Sequence, residues 1–171
     1  MLTKEMEKLI NDQFNKELYS VNLYLSMSSY FKSRDLDGFA HFFRIQAKEE
    51  NMHAMKQFDY IHQVDGIIAM QSVAAPPTTF ESIKQVFELS LTHERLVTQS
   101  IYNIVEQALN DKDFATHAFF QWFITEQVEE EATVKTLIKK IEMIGDNSSS
   151  LYLLNDELLK RPSVVPDVEA K

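Results

Sequence analysis

Four heptad-spaced stripes in this chain are apolar at their ends and acidic near their middles. The first runs Ile10, Phe14, Glu17, Val21, Tyr24, Ser28, Phe31. The second runs Phe39, Phe43, Gln46, Glu50, His53, Gln57, Tyr60, Val64. The third runs Phe87, Leu91, Glu94, Val97, Ile101, Ile104, and the fourth Phe120, Phe123, Gln127, Glu130, Val134, Leu137, Ile141, Ile144. The spacing predicts four amphipathic helices packed into one bundle. An unpaired carboxylate inside such a bundle is expensive even after relaxation. Buried charges are therefore paired or bind metal. Four stripes that turn polar at one level predict a bound cation there, and metal is the simplest.

The rest of the chain agrees with a helical bundle. At 171 residues it is long enough to bury a core in one domain. Three glycines and four prolines favour long helices over strands and turns. There are no cysteines, which removes disulfides, thiolate zinc sites, iron–sulfur clusters and cysteine nucleophiles together. A metal must then use carboxylate and imidazole, which suits iron, manganese, magnesium or zinc. The net charge of −9 argues against nucleic acid as a partner. Charges run through the first ten residues, so the start reads as neither a signal peptide nor a membrane anchor, and no membrane partner is expected. A cytoplasmic location is the expectation.

The helices are expected near 5–33, 38–65, 82–109 and 113–144. Asp37 reads as an N-cap of the second, Ser82-Ile83-Lys84-Gln85 as a capping box opening the third, and Gly145 as the end of the fourth. The links at 32–37 and 110–113 are short, so the helices they join are antiparallel neighbours. The middle link, Gly66 to Glu81, is sixteen residues and contains Pro76-Pro77. Extended, it reaches roughly 50 Å. A 27-residue helix is about 40 Å long. The link is long enough to cross the whole bundle, which would leave the second and third helices parallel. A short amphipathic stretch from Leu151 to Lys160 follows, stopped by Arg161-Pro162, and the tail over 162–171 is expected to be loose.

Glu50-Asn51-Met52-His53 places a carboxylate and an imidazole on one helix face at i and i+3. Carboxylate bundles use one Glu from each of two helices and a Glu-x-x-His from each of the others. Glu17 and Glu94 are the single carboxylates here, while the fourth helix offers Gln127 and Glu130 in place of a second Glu-x-x-His. Glu49, Glu126, Glu129 and Glu130 crowd alongside. Such crowding raises carboxylate pKa values unless cations bind. A third metal position is one reading, and solvated surface glutamates are the other for Glu49 and Glu126. Tyr24, seven residues after Glu17, is placed to bond a ligand carboxylate or give up an electron. Trp122 is a candidate for a similar redox part, and both also read as plain core aromatics. His41, His62, His93 and His117 lack a second ligand at convincing spacing and read as structural. The methionines, Met27, Met52, Met55 and Met70 among them, read as core filler.

At this point the chain resembles the bacterial non-haem ferritins over residues 1–160. The marks are Glu17-Leu18-Tyr19-Ser20 with Tyr24, Glu49-Glu50 with His53-Ala54, His93-Glu94, Gln121-Trp122-Phe123 leading to Glu126-Gln127, and Glu129-Glu130-Glu131. The resemblance implies an all-α, ferritin-like four-helix bundle over 1–161, with one long crossover between helices 2 and 3 and a short fifth C-terminal helix. It implies a di-iron ferroxidase centre within each subunit. Glu17 and His53 would hold the first iron, Glu50 would bridge, and Glu94 with Glu130 would hold the second. Gln127 would bond to a bound oxygen species or a ligand. Glu49, Glu126, Glu129 and Glu130 would form the third iron site of the bacterial branch. Fe(II) and O2 or H2O2 would be the substrates, ferric oxyhydroxide the stored product, and the assembly a homo-oligomeric hollow shell of about 24 subunits.

Departures from related families narrow this reading. Bacterioferritins carry a haem-ligating methionine where this chain has Asn51, so no haem is expected. Animal ferritins line a three-fold pore with acids where this chain has His117 and Phe120, so an acidic pore route is not expected. The alternative function is a di-iron oxidase or peroxidase of the rubrerythrin type, which consumes oxidant without storing mineral.

Overall fold

A computed structural model of the protein describes residues 2–162. Among the described residues there are five helices and no strand: α1 (Lys4–Lys32), α2 (Asp37–Gln63), α3 (Ile83–Asn110), α4 (Phe114–Ile144) and α5 (Ser148–Leu159). The expected tail lies outside the described residues except for Pro162. No helix among the described residues is long and apolar enough to cross a membrane.

Side-chain caps open four of the helices. Thr3 caps α1, Asp113 caps α4 and Asn147 caps α5, each accepting a backbone N–H three residues on. Ser82 Oγ does the same for Gln85 N at 3.1 Å, while Gln85 Oε1 reaches back to Glu81 N at 2.7 Å, one residue before the capping-box position. The expectation for α2 was wrong in detail. Asp37 is its first residue and pairs with Lys32 at 2.6 Å, and the N-cap Leu36 has no side chain to give. The cap comes instead from α5: Asn155 Oδ1 accepts from Gly38 N at 2.8 Å and Phe39 N at 3.3 Å. The fifth helix also begins earlier than expected, because Asn147 recruits Ser148, Ser149 and Ser150 into its first turn.

Three helices end the same way without glycine. Asp35, Asp65 and Lys112 adopt positive φ, and the next residue's N–H closes onto a carbonyl five residues back, as in Asp113 N to Ala108 O at 2.8 Å. Gly145, at φ 52°, ends α4.

The long link runs the length of α1. Near its start, Glu7, Asn11 and Asn15 bond the backbone at residues 67, 69 and 71. A four-residue helix step rises about 6 Å. Two extended residues rise about 6.6 Å, so the two ladders stay in register. Further along, Ser26 Oγ donates to Pro77 O, and Phe80 packs edge-on against Tyr30. The link therefore leaves the α1 N-terminal end and arrives at its C-terminal end, and α2 and α3 run parallel.

The apolar core is split in two. One cluster gathers Phe31, Phe39, Phe43 and Phe87 with Leu154 and Leu158 of α5. The other gathers Ile10, Ile61, Ile101, Ile104, Phe120 and Phe123. Between them lie Glu17, Glu50, His53, Glu94 and Gln127, each no more than 2% exposed.

Candidate metal centre

The four long helices bring five of the expected ligands to one level. Glu17, Glu50 and His53 offer ligand atoms all within 4.8 Å of one another, and so do Glu50, Glu94 and Glu130. Glu50 belongs to both groups. It sits between them as a bridging carboxylate would, with His53 Nδ1 3.8 Å from its Oε2.

Four of these residues each keep one unpartnered side-chain atom. Glu17 Oε2, Glu50 Oε2, His53 Nε2 and Glu130 Oε2 are buried without a hydrogen-bond partner among the described residues. Buried polar atoms are rarely left so. One imidazole and four carboxylates make a hard donor set that fits divalent iron, manganese or zinc. Burial pushes the Glu50 carboxyl well above the ordinary range, and Glu130, Glu17 and Glu94 push it further. Glu130 is raised for the same reasons, burial first and then Glu94. Glu94 is raised by burial but moderated by the hydroxyl of Tyr24 and the amide of Gln127. Burial lowers the His53 pKa, so its imidazole is held neutral and able to bind metal.

The atoms that do have partners hold the ligands in place. Glu17 Oε1 accepts from Gln13 Nε2 at 2.9 Å and from Gln57 Nε2 at 2.8 Å, which leaves Oε2 to face the centre. Tyr24 donates a hydrogen bond to Glu94 Oε1. Gln127 Nε2 donates to Glu94 Oε2 at 3.0 Å and to its backbone carbonyl at 3.2 Å. Sequence reasoning assigned no role to Gln13 and Gln57. Their signal is spacing: Gln13 precedes Glu17 by four residues, and Gln57 follows His53 by four.

The other expected residues are placed less tightly. Trp122 presents an edge to His53 at 5.4 Å, with the Lys56 ammonium 4.2 Å from its ring centroid. Glu49, next to Glu50 in the chain, is buried but bonded by Arg161, whose Nη2 lies 3.1 Å and 3.3 Å from its two oxygens. Glu126 is half-buried and Glu129 exposed. Among the described residues, Glu49, Glu126 and Glu129 do not converge into a three-ligand group, although the charges of Glu126 and Glu129 act on their neighbours. The remaining histidines have structural partners: His93 meets Ser20 Oγ at 2.7 Å, His41 the Arg161 carbonyl at 2.9 Å, His117 the amide of Gln121, and His62 the ring of Phe58. Met27 is core, but Met55 and Met70 are exposed, contrary to the reading of all methionines as filler. Phe120 is wholly buried in the bundle.

A Ferritin-like domain profile matches residues 7–144. The chain belongs to the ferritin family. A bacterial non-heme ferritin of Campylobacter jejuni is 43% identical over 94% of this chain and 95% of its own length. One from Staphylococcus epidermidis is 44% identical over 94% and 97%. Among solved structures, a humanized archaeal ferritin superposes with a TM-score of 0.95 at 41% identity, covering 96% of this chain and all of its own. An open pore ferritin from the hyperthermophilic archaeon Archaeoglobus fulgidus gives 0.93 at 42%, covering 95% and 99%. The family match, over residues 7–144, takes in Glu17, Glu50, His53, Glu94, Gln127 and Glu130.

Proposed function

We propose that this ferritin-family chain stores iron and that each subunit oxidises it first. The carrying observation is Glu50, a buried carboxylate shared by two ligand groups, with Glu17, Glu50, His53 and Glu130 each keeping one buried atom without a hydrogen-bond partner among the described residues. Two Fe(II) ions are the substrate. Glu17 and His53 hold one, Glu94 and Glu130 the other, and Glu50 spans both. Binding offsets the burial and the crowding that raise Glu50 and Glu130, because metal replaces the protons those carboxyls otherwise keep. Each Fe(II) gives one electron, so the pair, with two protons taken up in either case, reduces O2 to H2O2 or H2O2 to two waters. Oxygen ligands favour Fe(III), which helps drive the oxidation. Tyr24 and Gln127 fix Glu94 while the charge on its metal rises by one. The Fe(III) leaves and hydrolyses, two waters per ion giving up three protons, and is kept as ferric oxyhydroxide inside a hollow homo-oligomeric shell. The solved neighbours described as ferritins support this shell.

The test is anaerobic Fe(II) titration followed by oxygen, on wild type and on Glu50→Ala combined with His53→Ala. Fast oxidation of about two to three Fe(II) per chain, lost in the variant, with much more iron then kept in solution, is expected. Oxidation without retained iron would favour a rubrerythrin-like oxidase. Identical behaviour of the two proteins would overturn the centre.

A further inference from the structure

Arg161 lies just beyond α5, yet its side chain reaches back across α2. Its Nη1 donates to Gln46 Oε1 at 2.6 Å, and its Nη2 forks over both oxygens of Glu49. Its guanidinium stacks 4.7 Å above the Phe42 ring, and its carbonyl is tied to His41. Glu49 is 6% exposed, and burial raises its carboxyl while Arg161 pulls it back down. A buried carboxylate does not stand alone, so Glu49 needs some cation. It adjoins the bridging Glu50 in the chain, and its charge acts on the ligand Glu130.

We propose that Arg161 is a built-in cation that withholds Glu49 from metal, and that a metal ion beside the central pair binds Glu49 only by displacing it. This rests on the iron-binding pair proposed above. Arg161 acts through Glu49 and is a positioning residue. Occupancy of Glu49 by metal and docking of the end of α5 therefore exclude one another. Iron passing out of the pair loosens the C-terminal end of the subunit, and a docked C-terminal end keeps Glu49 closed.

The experiment titrates the metal-free, full-length protein with Zn(II), which cannot be oxidised, and follows hydrogen exchange of residues 157–162 in parallel. In wild type, two equivalents bind at the pair with no change at the C-terminal end. A weaker third then binds as 157–162 lose protection. In Arg161→Gln the third equivalent tightens by about tenfold, the scale of coupling between mutually exclusive sites, while the first two are unchanged. Glu49→Gln loses the third equivalent and its exchange signature. Arg161→Lys keeps the charge without the fork and falls between wild type and Arg161→Gln, so the idea stays testable should the glutamine variant fold poorly. A third equivalent equally weak in wild type and Arg161→Gln overturns the proposal, as does unchanged protection of 157–162 at saturating Zn(II). Loss of the first two equivalents in wild type would overturn the iron-binding pair itself, a separate result from either of these.

Discussion

Replacing Gly38 with alanine puts a methyl group where α5 already stands. A Cβ built on Gly38 lies 1.7 Å from the carbonyl oxygen of Asn155 and 2.6 Å from its carbon. Both are backbone atoms, and ordinary contact begins near 3.4 Å, so α5 must retreat by about that shortfall. The Asn155 bonds to Gly38 N and Phe39 N, now 2.8 Å and 3.3 Å, do not survive such a shift. Losing that cap costs about 1 kcal/mol. Leu154 and Leu158, each buried on this side, lose up to roughly 2 kcal/mol apiece as α5 lifts. Alanine returns at most about 1 kcal/mol through its better helix propensity. The balance is a loss of about 4 kcal/mol for docked α5, against a gain for the same substitution in an unobstructed helix. Hydrogen exchange of residues 148–160 reads it directly, with protection falling by up to about a thousandfold. Asn155→Ala, which loses the cap but keeps the space, should cost only about 1 kcal/mol. A Gly38→Ala protein with α5 as protected as wild type would refute the reasoning.

Other consequences can be checked with the same protein. Glu50→Gln should stabilise the metal-free protein by about 1–2 kcal/mol in denaturant melts, since it relieves like-charge crowding in a buried site, while abolishing binding at the pair. Glu50, Glu94 and Glu130 have raised pKa values, so the folded state keeps protons that the unfolded state has lost above the ordinary 4.5. Their contribution to metal-free stability is present below 4.5 and lost as pH rises through the raised values. His53, lowered by burial, opposes this by destabilising the fold as pH falls below 6.5. Zn(II) binding should accordingly release protons, seen as a binding enthalpy that changes with the buffer's ionisation enthalpy. Lys112 carries a side chain at φ 56°, so Lys112→Gly should raise stability by about 0.5–1 kcal/mol in the same melts, where an ordinary position would lose it.

What the sequence discloses and what it hides divide by distance along the chain. Helix stripes are local, so Glu17, Glu50, His53, Glu94 and Glu130 could be placed on one level by counting sevens. The crossover was legible because its length and its two prolines bound its path. The details that failed depend on partners far away. Asp37 looked like the cap of α2, but the group that caps it is 117 residues from Gly38. Asp35, Asp65 and Lys112 end helices in a conformation usually marked by glycine, and residue type gave no warning. Met55 and Met70 are apolar by type and exposed in a single subunit, since no periodicity says which stripe a neighbouring chain would cover. Arg161 read as a stop signal, because nothing in Arg-Pro says that its guanidinium crosses back to residues 46 and 49.

Those distant contacts form one chain of cause. Gly38 lets the α5 backbone approach, Asn155 locks it to the start of α2, and α5 then delivers Arg161 to the same helix further along. His41, Phe42, Gln46 and Glu49 lie within one face of α2, so a rigid α5 meets all four at once. A subunit whose α5 is displaced at Gly38 should therefore behave toward a third metal ion as Arg161→Gln does, with Glu49 released, even though the substitution is eleven residues away and touches no ligand. If Gly38→Ala undocks α5 while the third Zn(II) equivalent stays weak, then Arg161 does not govern Glu49, and the link from fold to site is broken at that step.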